Sequence, residues 1–187
     1  MNDFIAIDFE TATYSRESAI SVGLVKYRNF RPIASYYSLI RPPELYIRPD
    51  FTDIHGLTVG DVKDAPAFAD IWKIGVKSFI NGFPLAAHNA GFDMGVLRAV
   101  LGWYDLAIPE LQYFCTCSLA RRTWPKLKSH ALTALAKKFR IVYNDHNALE
   151  DAMTCGKLVQ MAAEKFGSAD IEELLDAAGV EMKVIEQ

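Results

Sequence analysis

Apolar residues appear first as a run, residues 4–9 (FIAIDF), and then in alternation, with Ile20, Val22 and Leu24 separated by Ser21 and Gly23. The run predicts a buried strand and the alternation predicts a second one. Residues 33–40 predict a third, and the short turns containing Asn29 and Pro32 suit an antiparallel meander. Pro42 and Pro43 end it, and residues 41–58 read as a long irregular connection. From 67 to 79 the period becomes helical, with Phe68, Ile71, Trp72, Val76 and Phe79 on one stripe. A short strand at 84–87, a helix over about 92–101 and a strand at 111–116 follow, then amphipathic helices at 130–139 and 148–166. Three strands followed by alternating helices and strands predict an α/β fold, a mixed five-stranded sheet flanked by helices.

With 187 residues, 51% hydrophobic and 23% charged, the chain fits a single domain with a substantial core. The domain is expected over 1–167, with the acidic tail 168–187 forming a short helix packed on it. No apolar run reaches transmembrane length, and no basic stretch leads into a secretory core. The three cysteines, Cys115, Cys117 and Cys155, make neither a disulfide framework nor a zinc spacing, so a cytoplasmic location is expected. The net charge of -3 excludes a nucleic-acid binder working by bulk charge.

The apolar run ends in two acids, Asp8 and Glu10. Side chains two apart on a strand share a face, about 6.5–7 Å apart along the chain, so Phe9 points the other way. Two carboxylates so placed repel unless a cation or a shared proton lies between them. They are either strand-end acids fraying into solvent or part of a hard divalent-metal site. Asp93, in HNAGFDMGVL, falls in the first turn of a helix, where it would also suit the helix dipole. Asp151, in DHNALEDA, falls in the first turn of another, with Asn147 as a cap and Glu150 resembling a capping-box partner. His146 precedes that cap, as a surface residue or as a general base with an unperturbed pKa near neutrality.

The segments DFET, HNAGFD and HNALED, in that order, resemble the three exonuclease motifs of the DEDD superfamily in its histidine-containing branch. That branch includes the proofreading epsilon subunit of bacterial DNA polymerase III. FTDIHGLTVGDVKDAPAF, TCSLARRTWP and SHALTALAKKF are also similar to epsilon-like sequence, so the resemblance covers about residues 3–166. It implies a ribonuclease-H-like fold with strand order 3-2-1-4-5. It also implies a 3′–5′ exonuclease releasing nucleoside monophosphates, with two Mg²⁺ or Mn²⁺ ions held by Asp8, Glu10, Asp93 and Asp151. His146 would be the general base.

Between 121 and 140 the chain carries Arg121, Arg122, Lys126, Lys128, Lys137, Lys138 and Arg140 and no acid, while 145–187 carries an acidic excess. The first four are candidate phosphate contacts, against the alternative of a solvated basic face. In the family the neighbourhood of Phe9 and Thr11 holds the terminal nucleotide, although Phe9 faces away from the acids. His55, His88 and Asn89 resemble pocket residues and equally suit turns and loops. Trp124 suits either base stacking or packing before Pro125. The expected partner is a single-stranded DNA or RNA 3′ end. Polymerase association is the alternative role, although the chain has no long C-terminal polymerase-binding region. A catalytically silent binding module of the same fold is disfavoured by the five filled catalytic positions.

Overall fold

The computed structural model describes residues 3–142, 144 and 146–185. Strands β1 (Asp3–Thr11), β2 (Ala19–Arg28) and β3 (Arg31–Leu39) form the antiparallel meander. Its second turn is tight because Asn29 and Phe30 both take left-handed backbone, at φ 49° and 59°. β4 (Leu85–Ala87) runs parallel to β1, and β5 (Gln112–Cys115) runs parallel to β4.

The order 3-2-1-4-5 holds, but the sheet is six-stranded. β6 (Lys183–Val184) pairs antiparallel with β5 and extends the order to β3-β2-β1-β4-β5-β6. The expected five strands are corrected on this point. A two-residue strand has no hydrophobic period and exists only through its pairing with β5.

The connection after β3 is less irregular than its prolines suggest. It contains α1 (Pro49–His55), entered through Pro49 and stopped at Gly56, whose φ is 74°. The four-residue α2 (Val59–Val62) follows, opened by a Thr58–Asp61 capping box. The helical stripe at 67–79 becomes α3 (Phe68–Ile71), a π-helical turn (Trp72–Val76) and α4 (Lys77–Ile80). Next come α5 (Gly91–Trp103), α6 (Thr116–Thr123), α7 (Leu132–Phe139) and α8 (Ala148–Phe166). The sequence did not predict α6, because TCSLARRT is too short and polar to show a full apolar stripe. In the tail, α9 (Ile171–Ala178) is capped by the Asp170 carboxylate, which accepts the Glu173 N–H.

Strand alternation divides the core into two layers. Ile5, Ile7 and Phe9 face Phe68, Trp72, Val76 and Leu97. Phe4 and Ala6 face Ala152, Cys155 and Val159 of α8, and Leu174 of α9. By the same period, Asp8 and Glu10 lie on the α8 side of β1. Ile185 of the tail is buried in the first layer and Ile171, Leu174 and Leu175 in the second, so the tail contributes to both. No helix among the described residues is long and apolar enough to cross a membrane.

Helix α8 reaches the sheet through missing side chains. A Cβ at Gly23 would collide with the Ala148 carbonyl and the Leu149 amide, and one at Gly156 would collide with the Tyr27 ring. Tyr27 then fastens the helix, its hydroxyl donating to the Met153 carbonyl at 2.9 Å. At Gly23 the obstruction is backbone and cannot rotate away. Gly23→Ala is therefore expected to destabilise the fold by about 1–3 kcal/mol through overpacking. Chemical denaturation measures this, and unchanged stability would mean that α8 does not start against β2.

Candidate active site

Three stretches of chain converge at one end of β1. Asp8 lies opposite Gly23 of β2, and Glu10 lies opposite Ser21, just before a register shift at Thr11. The gap at Gly23 admits the first turn of α8, which carries Asp151, so the glycine and the metal-ligand candidates are parts of one arrangement. This positioning role was not predicted from sequence. Its signal was a glycine inside a strand, which marks a close backbone approach.

Asp93 is the third residue of α5 and is buried to 1% exposure. Its Oδ1 accepts the Phe9 N–H at 3.2 Å, tying the helix to the strand between the two β1 acids. Asp151 follows the Asn147 cap, whose Oδ1 accepts the Leu149 and Glu150 N–H groups. His146 sits just outside this cap at φ 60°, and its N–H donates to Asp151 Oδ2 at 3.2 Å. The left-handed turn folds the histidine back over the first turn of α8. Ligand-type atoms of Glu10, His146 and Asp151 come within 4.8 Å of one another.

The acids are held at electrostatic cost. Burial pushes Asp8 well above the carboxylate range, and repulsion from Asp93, Asp151 and Glu10 adds to it. Glu10 rises to about 8, chiefly through burial and then through Asp151 and Asp93. Asp93 also rises to about 8 through burial, opposed by the N–H donated from Phe9. A concentrated set of carboxylate oxygen donors is what a hard divalent ion would satisfy. The residues fit such an ion.

The substrate candidates divide. The Phe9 side chain is 3% exposed and packs on Phe68, so only its backbone faces the acids; strand alternation turns the ring into the core. Thr11 is buried at the end of β1. His88 is held within the fold: Nδ1 meets Thr116 Oγ1 at 3.0 Å and Nε2 meets the His130 carbonyl at 2.8 Å. Asn89 takes a left-handed turn at φ 73°, its carbonyl accepting the Phe92 N–H, with its side chain exposed.

His55 ends α1, its Nδ1 accepting the Leu57 N–H at 3.0 Å. Its ring lies beside a cavity of about 390 Å³ that His146 also lines. Arg121 and Arg122 are exposed in the last turn of α6, beside a cavity that Cys115 and Ala90 share. Lys126 and Lys128 are exposed in the following loop. Trp124 packs on Phe139 with ring centroids 4.6 Å apart, which resolves its alternatives in favour of packing.

The raised carboxyls link stability to pH. Glu10 and Asp93 titrate near 8 in the fold, against ordinary values of 4.5 and 3.8, so between those limits the folded state binds more protons than the unfolded state. Stability of metal-free protein is therefore present at the acid end of this window and lost as pH rises through about 8. Melting temperatures in EDTA should fall across the window, and added Mg²⁺ should raise them more at the alkaline end. A flat profile would mean that the acids are not crowded.

The family model described as Exonuclease matches residues 5–159 of the chain. The DNA polymerase III subunit epsilon of Salmonella typhimurium (strain LT2) is 30% identical over 162 residues, 79% of this chain and 66% of its own length. The PolC-type DNA polymerase III of Latilactobacillus sakei is 30% identical over 185 residues, 95% of this chain and 13% of the polymerase. The chain spans only 13–27% of the length of the first three curated relatives it matches. Among solved structures, exonuclease X in complex with 5′ overhanging duplex DNA superposes with TM-score 0.72 at 25% identity, covering 94% of this chain and 99% of that one. The nuclease domain of 3′hExo, a DEDDh family member bound to rAMP, gives 0.77 over 97% of this chain and 96% of that one; at 14% identity it speaks for the fold alone. Since the family match begins in β1 and runs through all three acidic segments into the middle of α8, the chain belongs to the Exonuclease family.

Proposed function

We propose that the protein is a metal-dependent 3′–5′ exonuclease acting on single-stranded DNA or RNA ends and releasing nucleoside monophosphates. The observation that carries this reading is the convergence of Glu10, His146 and Asp151, with ligand-type atoms within 4.8 Å, beside Asp8 and the buried Asp93. A catalytically silent binding module would have no use for acids held at this cost.

Asp8, Glu10, Asp93 and Asp151 would hold two divalent ions, Mg²⁺ or Mn²⁺. When bound, such ions supply Lewis-acid activation of water and stabilise charge on the leaving 3′ oxygen. The chain's own residues do the rest. His146, exposed at its turn, accepts the proton of the attacking water and must be neutral to do so. The Phe9 N–H, by holding Asp93 at 3.2 Å, keeps that carboxylate directed at the end of β1. His55 and Thr11 border the place for the terminal nucleotide.

A cytoplasmic location is part of the proposal, in keeping with three free cysteines, Cys115, Cys117 and Cys155. So is a proofreading association with a polymerase, supported by relatives named as polymerase III subunits or as a polymerase III.

The decisive assay uses purified protein with Mg²⁺ or Mn²⁺ on end-labelled single-stranded DNA, single-stranded RNA and duplexes. Stepwise shortening from the 3′ end, abolished by EDTA, is expected, and no cleavage of any substrate would reject the proposal. Asp8→Asn should lower the rate by orders of magnitude while the protein remains folded. Near-normal cleavage would remove Asp8 from the metal site. His146→Ala should reduce single-turnover cleavage at saturating substrate by roughly 10²–10⁴-fold with little change in affinity or melting temperature. A stable variant with wild-type cleavage would place the base elsewhere.

A further inference from the structure

A second feature of the surface extends beyond the residues that the family model matches. Two adjoining cavities, about 620 and 690 Å³, have Gly91, Tyr113, Glu181 and Lys183 in common and so form one continuous trough. One end carries Arg16 and Arg98, and the other carries Arg121 and Arg122. Its far wall is residues 179–185, beyond the matched region 5–159. β6 holds that wall in place by pairing Lys183 with Tyr113 and Val184 with Gln112.

The trough carries a local excess of positive charge. Glu181 is its one acid, against Arg16, Arg98, Arg121, Arg122 and Lys183, in a chain of net charge -3. Among the described residues, none of Arg98, Arg121, Arg122 and Lys183 has an ion-pair partner. Arg16 is pre-positioned: its Nη1 donates to the Gly91 carbonyl at 2.8 Å, in space that a Cβ at Gly95 would fill.

Cys115 and Ala90 line the trough, and Gly91 opens the helix that carries Asp93. Cations without ion-pair partners along a groove fit a polyanionic strand. The partly exposed Tyr113 ring, common to both cavities, favours a strand with bases to stack over an acidic peptide.

We propose that the C-terminal segment builds one wall of a phosphate track for the substrate strand upstream of its 3′ end, with Arg16, Arg98 and Lys183 joining Arg121 and Arg122 as its cations. This rests on the exonuclease reading, and it gives the tail a role in substrate retention. The track would reward longer substrates, because a dinucleotide reaches only the acidic centre.

The test is the double variant Arg98→Glu/Lys183→Glu, both positions being exposed, with Arg98→Ala/Lys183→Ala as the milder version. Fluorescence anisotropy with a labelled single-stranded oligonucleotide should show binding weakened by roughly tenfold or more, and a log–log salt slope reduced by about 0.7 for each phosphate no longer neutralised. In kinetics, the advantage in KM of a long oligonucleotide over a dinucleotide should collapse while kcat on the long substrate is kept. Wild-type affinity and salt slope in the folded variants would overturn the track and leave the exonuclease reading untouched. Equal competition by polyglutamate would also overturn it, in favour of an acidic peptide. Charge-dependent binding in a protein that cleaves nothing would support the track as a nucleic-acid surface while rejecting the exonuclease reading.

Discussion

The burial and crowding of four carboxyl groups is the constraint on which the rest of this structure depends. Asp8, Glu10 and Asp93 are all pushed upward, with burial as the largest cause and Asp151 contributing to each. Such a group would separate on any flexible support. It persists because each acid is mounted near the end or beginning of a regular element whose own backbone bonds are already satisfied. The sheet and its covering helices supply the energy that opposes the repulsion.

The mounting depends on a small set of backbone contacts. Gly23 lets the first turn of α8 approach β2 opposite Asp8, and Asn147 closes that turn. The Phe9 amide fastens α5 to β1, and His88 ties the loop after β4 to Thr116 and His130. These interactions set how closely the acids approach. An active site built this way is preorganised, with the chemistry on short excursions from rigid elements.

Charge is partitioned over the molecule in a way that its net value conceals. A trough lined by Arg16, Arg98, Arg121, Arg122 and Lys183 carries cations of which Arg98, Arg121, Arg122 and Lys183 lack ion-pair partners among the described residues. The wall supplied by the tail depends on burial as well as pairing, since Ile185 and α9 anchor both ends of the turn that carries Glu181 and Lys183.

Local pattern was enough to identify the meander, the helical stripes and the acids of three motifs, because strand and helix periods and caps are properties of neighbouring residues. The same period placed Asp8 and Glu10 on one face and Phe9 on the other, as the structure has them. Pairing across the chain decided what remained. α6 and β6 have too few residues to show a period, and β6 exists only because β5 offers an edge. His88 and Trp124 have partners distant in sequence, His130 and Thr116 for one and Phe139 for the other. The sequence determined which acids and bases the candidate site can offer, since a side chain's chemical type is its own. Tertiary structure decided how close they come and what their crowding costs, because distance and burial depend on the packing of segments far apart in the chain.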